Sequence, residues 1–208
     1  PLTKTDIQST WAGLRPLIHE DGKSPSELSR KDEIFISEHG LISIAGGKLT
    51  GYRKMAERTV DLAFRQIEAA GGARFGVSRS SSRKLSGGLF HSFKAFASEV
   101  GKTDLSEAEL SGLFHKYGSN SQEIISLIDW GNEDRALAIL LAELSYSVEN
   151  EMISELSDFL IRRTGRLYFE KSIADKYASA LNSRLADLLK LSAKEAEKSL
   201  QTYLKESE

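Results

Sequence analysis

The residues best suited to chemistry are Gly46, Gly47, Lys48, Leu49 and Thr50. They follow the apolar run Ile42-Ser43-Ile44-Ala45 and lead into Gly51-Tyr52-Arg53-Lys54-Met55. A glycine pair lets backbone N–H groups approach a ligand closely, and a helix start just beyond it adds partial positive charge. Such a turn suits an anion or an electron-rich carbonyl. It is not a phosphate-cradling Gly-x-x-x-x-Gly-Lys-Ser/Thr loop, and the sequence contains no Gly-x-Gly-x-x-Gly. Alone, the pattern is equally a tight strand-to-helix connection that needs small residues.

Two arginines offer fork-shaped donors for a phosphate or carboxylate. Arg15 lies in Ser9-Thr10-Trp11-Ala12-Gly13-Leu14-Arg15-Pro16-Leu17, and Arg30 follows Ser29. Each alone also reads as a surface ion-pair partner. His19, His39, His91 and His115 are scattered without metal-ligand spacing, so no metal site is expected. Arg74, Arg79 and Arg83 make a short basic stretch, but Phe75 is its one interleaved aromatic and the net charge is −2. A nucleic-acid partner is therefore not expected.

The elements that must position these groups change character along the chain. Ile34-Phe35-Ile36 and Leu41-Ile42-Ser43-Ile44 flank the turn Glu38-His39-Gly40, which predicts a hairpin. From Leu49 the period becomes helical: Ala56, Val60, Ala63, Phe64 and Ile67 share a face, and Gly71-Gly72 stops the helix. Residues 71–88 are rich in Gly, Ser and Arg and read as a linker. Ser106 with Glu109 forms a capping-box pattern before Leu110, Leu113, Phe114 and Tyr117, and Gly118 ends that helix. Ser119 with Gln122 repeats the start signal before Ile124, Ile125 and Ile128. Further stripes are Ala136, Ile139, Leu140, Leu144; then Leu156, Phe159, Leu160; and last Ile173, Tyr177, Leu181, Leu185, Leu188. The expected fold is mainly α: a C-terminal helical bundle of five or six helices after a small α/β remnant. The domain reading is 1–70, 71–88 as linker, and an all-helical 89–208.

The bulk composition sets limits. The chain has 208 residues, 40% hydrophobic and 28% charged, as expected of a globular protein rather than a disordered one. It has no cysteine, which excludes disulfides and fits a reducing compartment. No apolar run approaches the roughly 20 residues that span a bilayer. The three prolines all fall by position 25, which leaves room for long helices. The first residue is Pro1, and the chain reads as a piece of something longer.

Taken together, the segments around Arg15, Ser29-Arg30, Ala45 to Thr50 and Tyr52-Arg53-Lys54-Met55-Ala56-Glu57 resemble the FAD-dependent glycerol-3-phosphate dehydrogenases. Tyr117-Gly118-Ser119, Glu151-Met152 and the stretch from Asp158 to Thr164 are similar to the helical C-terminal domain of that family. The resemblance implies that residues 1–70 are the last strands and helix of an FAD and substrate domain, and that 89–208 are its cap. It implies a hydride passed from C2 of sn-glycerol 3-phosphate to flavin N5, giving dihydroxyacetone phosphate, with electrons going on to a quinone. By motif, Arg15 and Arg30 would bind the substrate phosphate. Lys48 would be the catalytic residue at the flavin–substrate junction. Gly46, Gly47, Lys48, Leu49 and Thr50 would face the pyrimidine side of the isoalloxazine ring. The implied partners are the missing N-terminal FAD domain, glycerol 3-phosphate, dihydroxyacetone phosphate, quinone and a further copy of the chain. The implied location is the cytoplasm, with peripheral attachment to the membrane face left open.

The family often has Thr-Thr-Tyr-Arg after the lysine, whereas this chain has Thr50-Gly51-Tyr52-Arg53. The short stretch 18–28 after Arg15-Pro16-Leu17 favours the quinone-linked dehydrogenase over the oxygen-using oxidase branch, which tends to carry a long insertion there. Two expectations follow. The chain alone is inactive, and Arg162-Arg163-Thr164 is an internal salt-bridge element rather than a docking surface. The rival reading from another class is a non-enzymatic helical interaction module.

Overall fold

The computed structural model describes residues 3–7, 10, 12–14 and 32–207. Two compact units divide the chain between Lys84 and Leu85: the described residues of Ala12–Lys84, and those of Leu85–Glu208 with those of Pro1–Trp11.

The first unit is a hairpin followed by a helix. Strands β1 (Asp32–Ile36) and β2 (Ile42–Gly46) pair antiparallel, with Ile34 opposite Ile44 and Ile36 opposite Ile42. The two-residue side-chain period puts these isoleucines on one face. The tight turn is closed by Gly40 donating to the Ser37 carbonyl at 2.9 Å, with Gly40 at φ 83°. A single 3-10 turn, Leu49–Gly51, then opens α1 (Tyr52–Ala69). That helix ends where Gly71 takes φ 82° and Gly72 donates to the Ile67 carbonyl at 2.8 Å, as the glycine pair predicts.

The second unit is helical: α2 (Phe93–Val100), α3 (Glu107–Tyr117), α4 (Ser121–Ser126), α5 (Arg135–Asn150), α6 (Arg166–Phe169), α7 (Lys171–Leu189) and α8 (Ala193–Glu206). The sequence suggests five or six helices and seven are described; α2, α6 and α8 carry none of the stripes named from sequence, and the stripe Leu156, Phe159, Leu160 runs into a π-helical turn. Helix α5 lies between two apolar clusters. Its Leu140 and Leu144 pack with Leu156, Phe159, Leu181 and Tyr203. Its Ala138, Ala142 and Tyr146 pack with Phe96, Leu113 and Ile124. The stripe read from sequence holds at Ile139, Leu140 and Leu144 and fails only at exposed Ala136; burial on a second side adds Ala138 and Ala142.

Capping is partly as the sequence suggests. Ser106 and Glu109 form a reciprocal capping box on α3. Ser119 does not cap α4: it lies within a 3-10 turn, Gly118–Asn120, and Asn120 takes the N-cap position. Helix α8 starts with another capping box, Ser192 with Glu195, and is held by fully buried Tyr203 and by Ser199, whose Oγ accepts from the Leu156 N–H at 3.0 Å. Asp158–Arg163 is a π-helical turn, closed by the Thr164 N–H on the Phe159 carbonyl at 3.0 Å. Arg162 pairs with Asp158 at 3.0 Å and with Glu206 at 3.6 Å, and Arg163 donates to the Glu151 carbonyl at 2.6 Å.

Glu109 carries a pH dependence. Hydrogen bonds from Arg135 and then Ser106 outweigh partial burial and hold its carboxyl at about 2, below the usual 4.5. A depressed acid stabilises the fold above its unfolded pKa, and that contribution is lost as pH falls through the folded one. Stability of the helical unit therefore includes a share that drains away from about pH 4.5 towards about pH 2. Glu109→Gln is expected to cost about 1 kcal/mol at neutral pH, for the lost charge-assisted bond to Arg135, because glutamine can still complete the capping box. Its difference from the parent should close near pH 2 in acid titrations followed by circular dichroism.

Candidate functional site

The site is the turn where β2 becomes α1. Gly46 and Gly47 adopt φ 77° and 86° in succession, a conformation that residues with a Cβ rarely take. Gly47 also has no room for a side chain: a Cβ there would lie 2.7 Å from Met55 Sδ and 3.1 Å from Asp32 Cβ. The chain then extends at Lys48 and closes the 3-10 turn, with Gly51 donating to the Lys48 carbonyl at 2.8 Å. The N–H groups of Lys48, Leu49 and Thr50 have no hydrogen-bond partner among the described residues, and Lys48 makes no ion pair there. All three residues are exposed, Leu49 at 89%. Backbone donors and an ammonium group thus face outward from one short, shaped turn.

The first turns of α1 are gripped from two sides. On one, Met55 packs beneath Gly47 and Arg58 pairs with Asp32 of β1. On the other, Arg53 Nη1 donates to Glu57 Oε2 at 2.5 Å and to Ser80 Oγ at 3.0 Å, while Ser80 Oγ donates to Glu57 Oε2 at 3.3 Å. Lys54 takes the other Glu57 oxygen at 2.6 Å. The bonds from Lys54 and Arg53 hold the Glu57 carboxyl below its ordinary range.

The turn's shape rests on Gly47. Gly47→Ala is expected to destabilise the first unit by about 1–2 kcal/mol, from left-handed backbone strain plus displacement of the flexible end of Met55. Chemical denaturation compared with Gly51→Ala should show it, because Gly51 has ordinary backbone angles and its nearest neighbour is Met55 Sδ at 3.9 Å.

Of the residues singled out from sequence, Gly46, Gly47, Lys48, Leu49 and Thr50 form this single feature. Arg15 and Arg30 lie outside the described residues. Sequence reasoning overlooked Met55, Arg58 and Ser80. An Arg53/Glu57 pair at four-residue helical spacing was readable, but nothing in the sequence links it to a serine in an apparent linker. It also overlooked Arg166, 6% exposed, which binds Glu143, 1% exposed, at 2.6 Å inside the helical unit. Among the described residues, no group of three or more His, Cys, Asp or Glu could hold a metal ion. No helix there is long and apolar enough to cross a membrane. A groove of about 640 Å3 in the helical unit is lined by residues such as Tyr117, Asn120, Tyr146 and Arg163, and does not include the turn.

Comparison with known proteins gives this turn a context. The family model for the C-terminal domain of alpha-glycerophosphate oxidase matches residues 78–196. The aerobic glycerol-3-phosphate dehydrogenase of Bacillus subtilis (strain 168) is 44% identical over 191 residues, which cover 86% of this chain and 34% of that protein. The enzyme of the same name from Staphylococcus aureus (strain USA300) is 41% identical over 206 residues, covering 94% of this chain and 37% of that protein. The crystal structure of the glycerol-3-phosphate dehydrogenase from Bacillus halodurans complexed with FAD superposes with a TM-score of 0.72 at 36% identity, covering 99% of this chain and 40% of that one. The chain spans about a third of the length of the curated relatives it matches. With more than half of its residues matched by the family model, the chain belongs to the family of the C-terminal domain of alpha-glycerophosphate oxidase.

Proposed function

We propose that this chain supplies the C-terminal part of an FAD-dependent aerobic glycerol-3-phosphate dehydrogenase, and that the 46–50 turn is its contribution to the flavin site. The observation that carries the reading is the turn itself: N–H groups of Lys48, Leu49 and Thr50 and an ammonium, all without a partner among the described residues, on a backbone that only glycine at position 47 permits. These residues fit the carbonyl edge of a flavin ring better than a phosphate, because they offer donors on one side and no enclosing walls. When bound, FAD supplies the two-electron acceptor for oxidation of glycerol 3-phosphate to dihydroxyacetone phosphate.

This chain's own residues would then act electrostatically. The turn's N–H groups point where negative charge develops on a ring carbonyl, already oriented by the hairpin and α1. Lys48 adds a full positive charge at the same place. Arg15 and Arg30 would hold the substrate phosphate by paired guanidinium bonds. Residues 1–70 would belong to the FAD and substrate domain, 71–88 would be the linker and 89–208 the cap.

The remainder of the flavin domain is the expected partner. Tyr52, Val60 and Ile67 on α1 are 53%, 45% and 43% exposed, and Phe35, Ile36 and Leu41 on the hairpin are 46%, 50% and 67% exposed. A small unit with this much bare apolar surface needs a cover. Quinone as electron acceptor, association with further copies and a cytoplasmic place beside the membrane belong to the same reading. The chain alone is expected to be inactive.

The family description names an oxidase whereas the relatives are named dehydrogenases, so the electron acceptor separates two readings. Anaerobic addition of glycerol 3-phosphate to the whole protein should bleach its flavin band, and a quinone analogue should restore it faster than oxygen does. Faster recovery with oxygen would select the oxidase. No bleaching would refute the proposed activity.

A further inference from the structure

Residues 73–84, whose composition reads as flexible, run back along α1 and are fastened to it at two levels. Near the C-terminal half of the helix, the Phe75 ring stacks on Phe64 with centroids 3.9 Å apart and planes 16° from parallel. At the N-terminal end, the 3-10 turn Ser80–Ser82 brings Ser80 Oγ to both Arg53 and Glu57. Arg53, Glu57 and Phe64 recur at four and seven residues, so they share one face of the helix. Met55 and Arg58, which hold the hairpin, lie about 150° away around the helix axis at 100° per residue. The first turns of α1 are thus held between the hairpin and this returning segment. Arg53 and Glu57 have side chains only 34% and 18% exposed, so their pair is sheltered from water and from salt.

We propose that residues 73–84 are a strap, and that Ser80, latched by Arg53 and Glu57, is a positioning residue that fixes the 46–50 turn. Ser80 uses its hydroxyl both ways, accepting from the guanidinium and donating to the carboxylate. Without it, Arg53 and Glu57 still pair within the helix, but nothing ties that pair to the strap. The start of α1 then keeps its hairpin contacts and loses the opposing one, and the N–H groups of Lys48, Leu49 and Thr50 lose their fixed direction. The consequence for the flavin rests on the function proposed above; the consequence for the turn does not.

The test uses Ser80→Ala, with Ser80→Thr as the variant that restores the hydroxyl. In the full 208-residue chain, amide hydrogen exchange of Gly51 and Tyr52, whose N–H groups close the 3-10 turn on the Lys48 and Leu49 carbonyls, is expected to rise about five- to tenfold in Ser80→Ala, the loss of roughly one hydrogen bond, and to return towards the parent in Ser80→Thr. Residues 139–146 of α5 serve as the control and should not change. In the whole flavoprotein, Ser80→Ala should shift the flavin absorption maxima while FAD content stays the same, and Ser80→Thr should reverse the shift. Faster exchange confined to residues 73–84, or no change at Gly51 and Tyr52, would overturn the strap as a positioning device. An unshifted flavin spectrum together with faster exchange at Gly51 and Tyr52 would overturn its reach to the cofactor. If the parent whole protein holds no FAD, the flavin reading fails, and exchange at Gly51 and Tyr52 still decides the strap.

Discussion

Replacing Glu143 by alanine is expected to lower the melting temperature of this protein by on the order of 10 °C, from a loss of about 3 kcal/mol. Glu143 on α5 is 1% exposed and Arg166 on α6 is 6% exposed, joined at 2.6 Å. A buried pair of this kind adds little net stability over an apolar pair, but removing one partner leaves the other charge stranded in a medium that solvates it poorly. Glu170, 3.0 Å from Arg166 Nε, softens the loss without cancelling it, because its side chain is 39% exposed and its field is screened. Glu143 also matters to its surroundings: burial first, then its negative charge, pushes the Tyr117 hydroxyl far above its normal range. The double variant Glu143→Leu with Arg166→Met removes both charges and should recover most of the stability. Thermal unfolding of the three proteins side by side settles the point. A single substitution that shifts the transition by no more than a degree or two would show that the pair is solvated.

The second large effect concerns Lys48. In the whole protein, Lys48→Ala should reduce kcat for glycerol 3-phosphate oxidation about a hundredfold, with a small change in KM and unchanged FAD content. The reasoning is electrostatic. The ammonium has no ion pair among the described residues, so none of their carboxylates neutralises it. Interactions that strengthen only as charge develops on the acceptor appear in kcat rather than in KM. Lys48→Arg should keep part of the rate, because the charge remains but its geometry differs. An unchanged kcat would place Lys48 away from the chemistry.

Much of the local structure was legible because local rules and tertiary packing agree. The hairpin follows from β-branched residues on both sides of Gly40, and α1 from its period and its glycine stop. The Ser106/Glu109 box is formed as written. Where distant contacts decide, the sequence is silent. Ser119 has the residue type of a cap, but it is taken up in a 3-10 turn docked on the Gly87 carbonyl, and Asn120 stands at the N-cap. Helix α8, by contrast, was readable and overlooked: Ser192 with Glu195 caps it, and Ala196, Leu200 and Tyr203 recur at helical spacing, with Leu200 and Tyr203 on the core. Arg162 and Arg163 attract attention as a pair, yet both are exposed, and the buried arginine is Arg166.

The candidate site divides in the same way. Its glycine pair and lysine are adjacent in sequence and were visible there. Its supports, Met55 under Gly47 and Ser80 across Arg53 and Glu57, join residues whose types suggest nothing of the kind. That the turn faces a flavin carbonyl is a proposal drawn from the likeness to glycerol-3-phosphate dehydrogenases, since spacing alone leaves the group open.

The central claim is that this chain completes a flavin site it does not build alone. The direct test is a visible absorption spectrum after incubation with excess FAD and desalting, taken on this chain and on the whole protein. The account predicts no retained flavin band for the chain and a stoichiometric one for the whole protein. A stoichiometric band on the chain alone, or none on the whole protein, would contradict it.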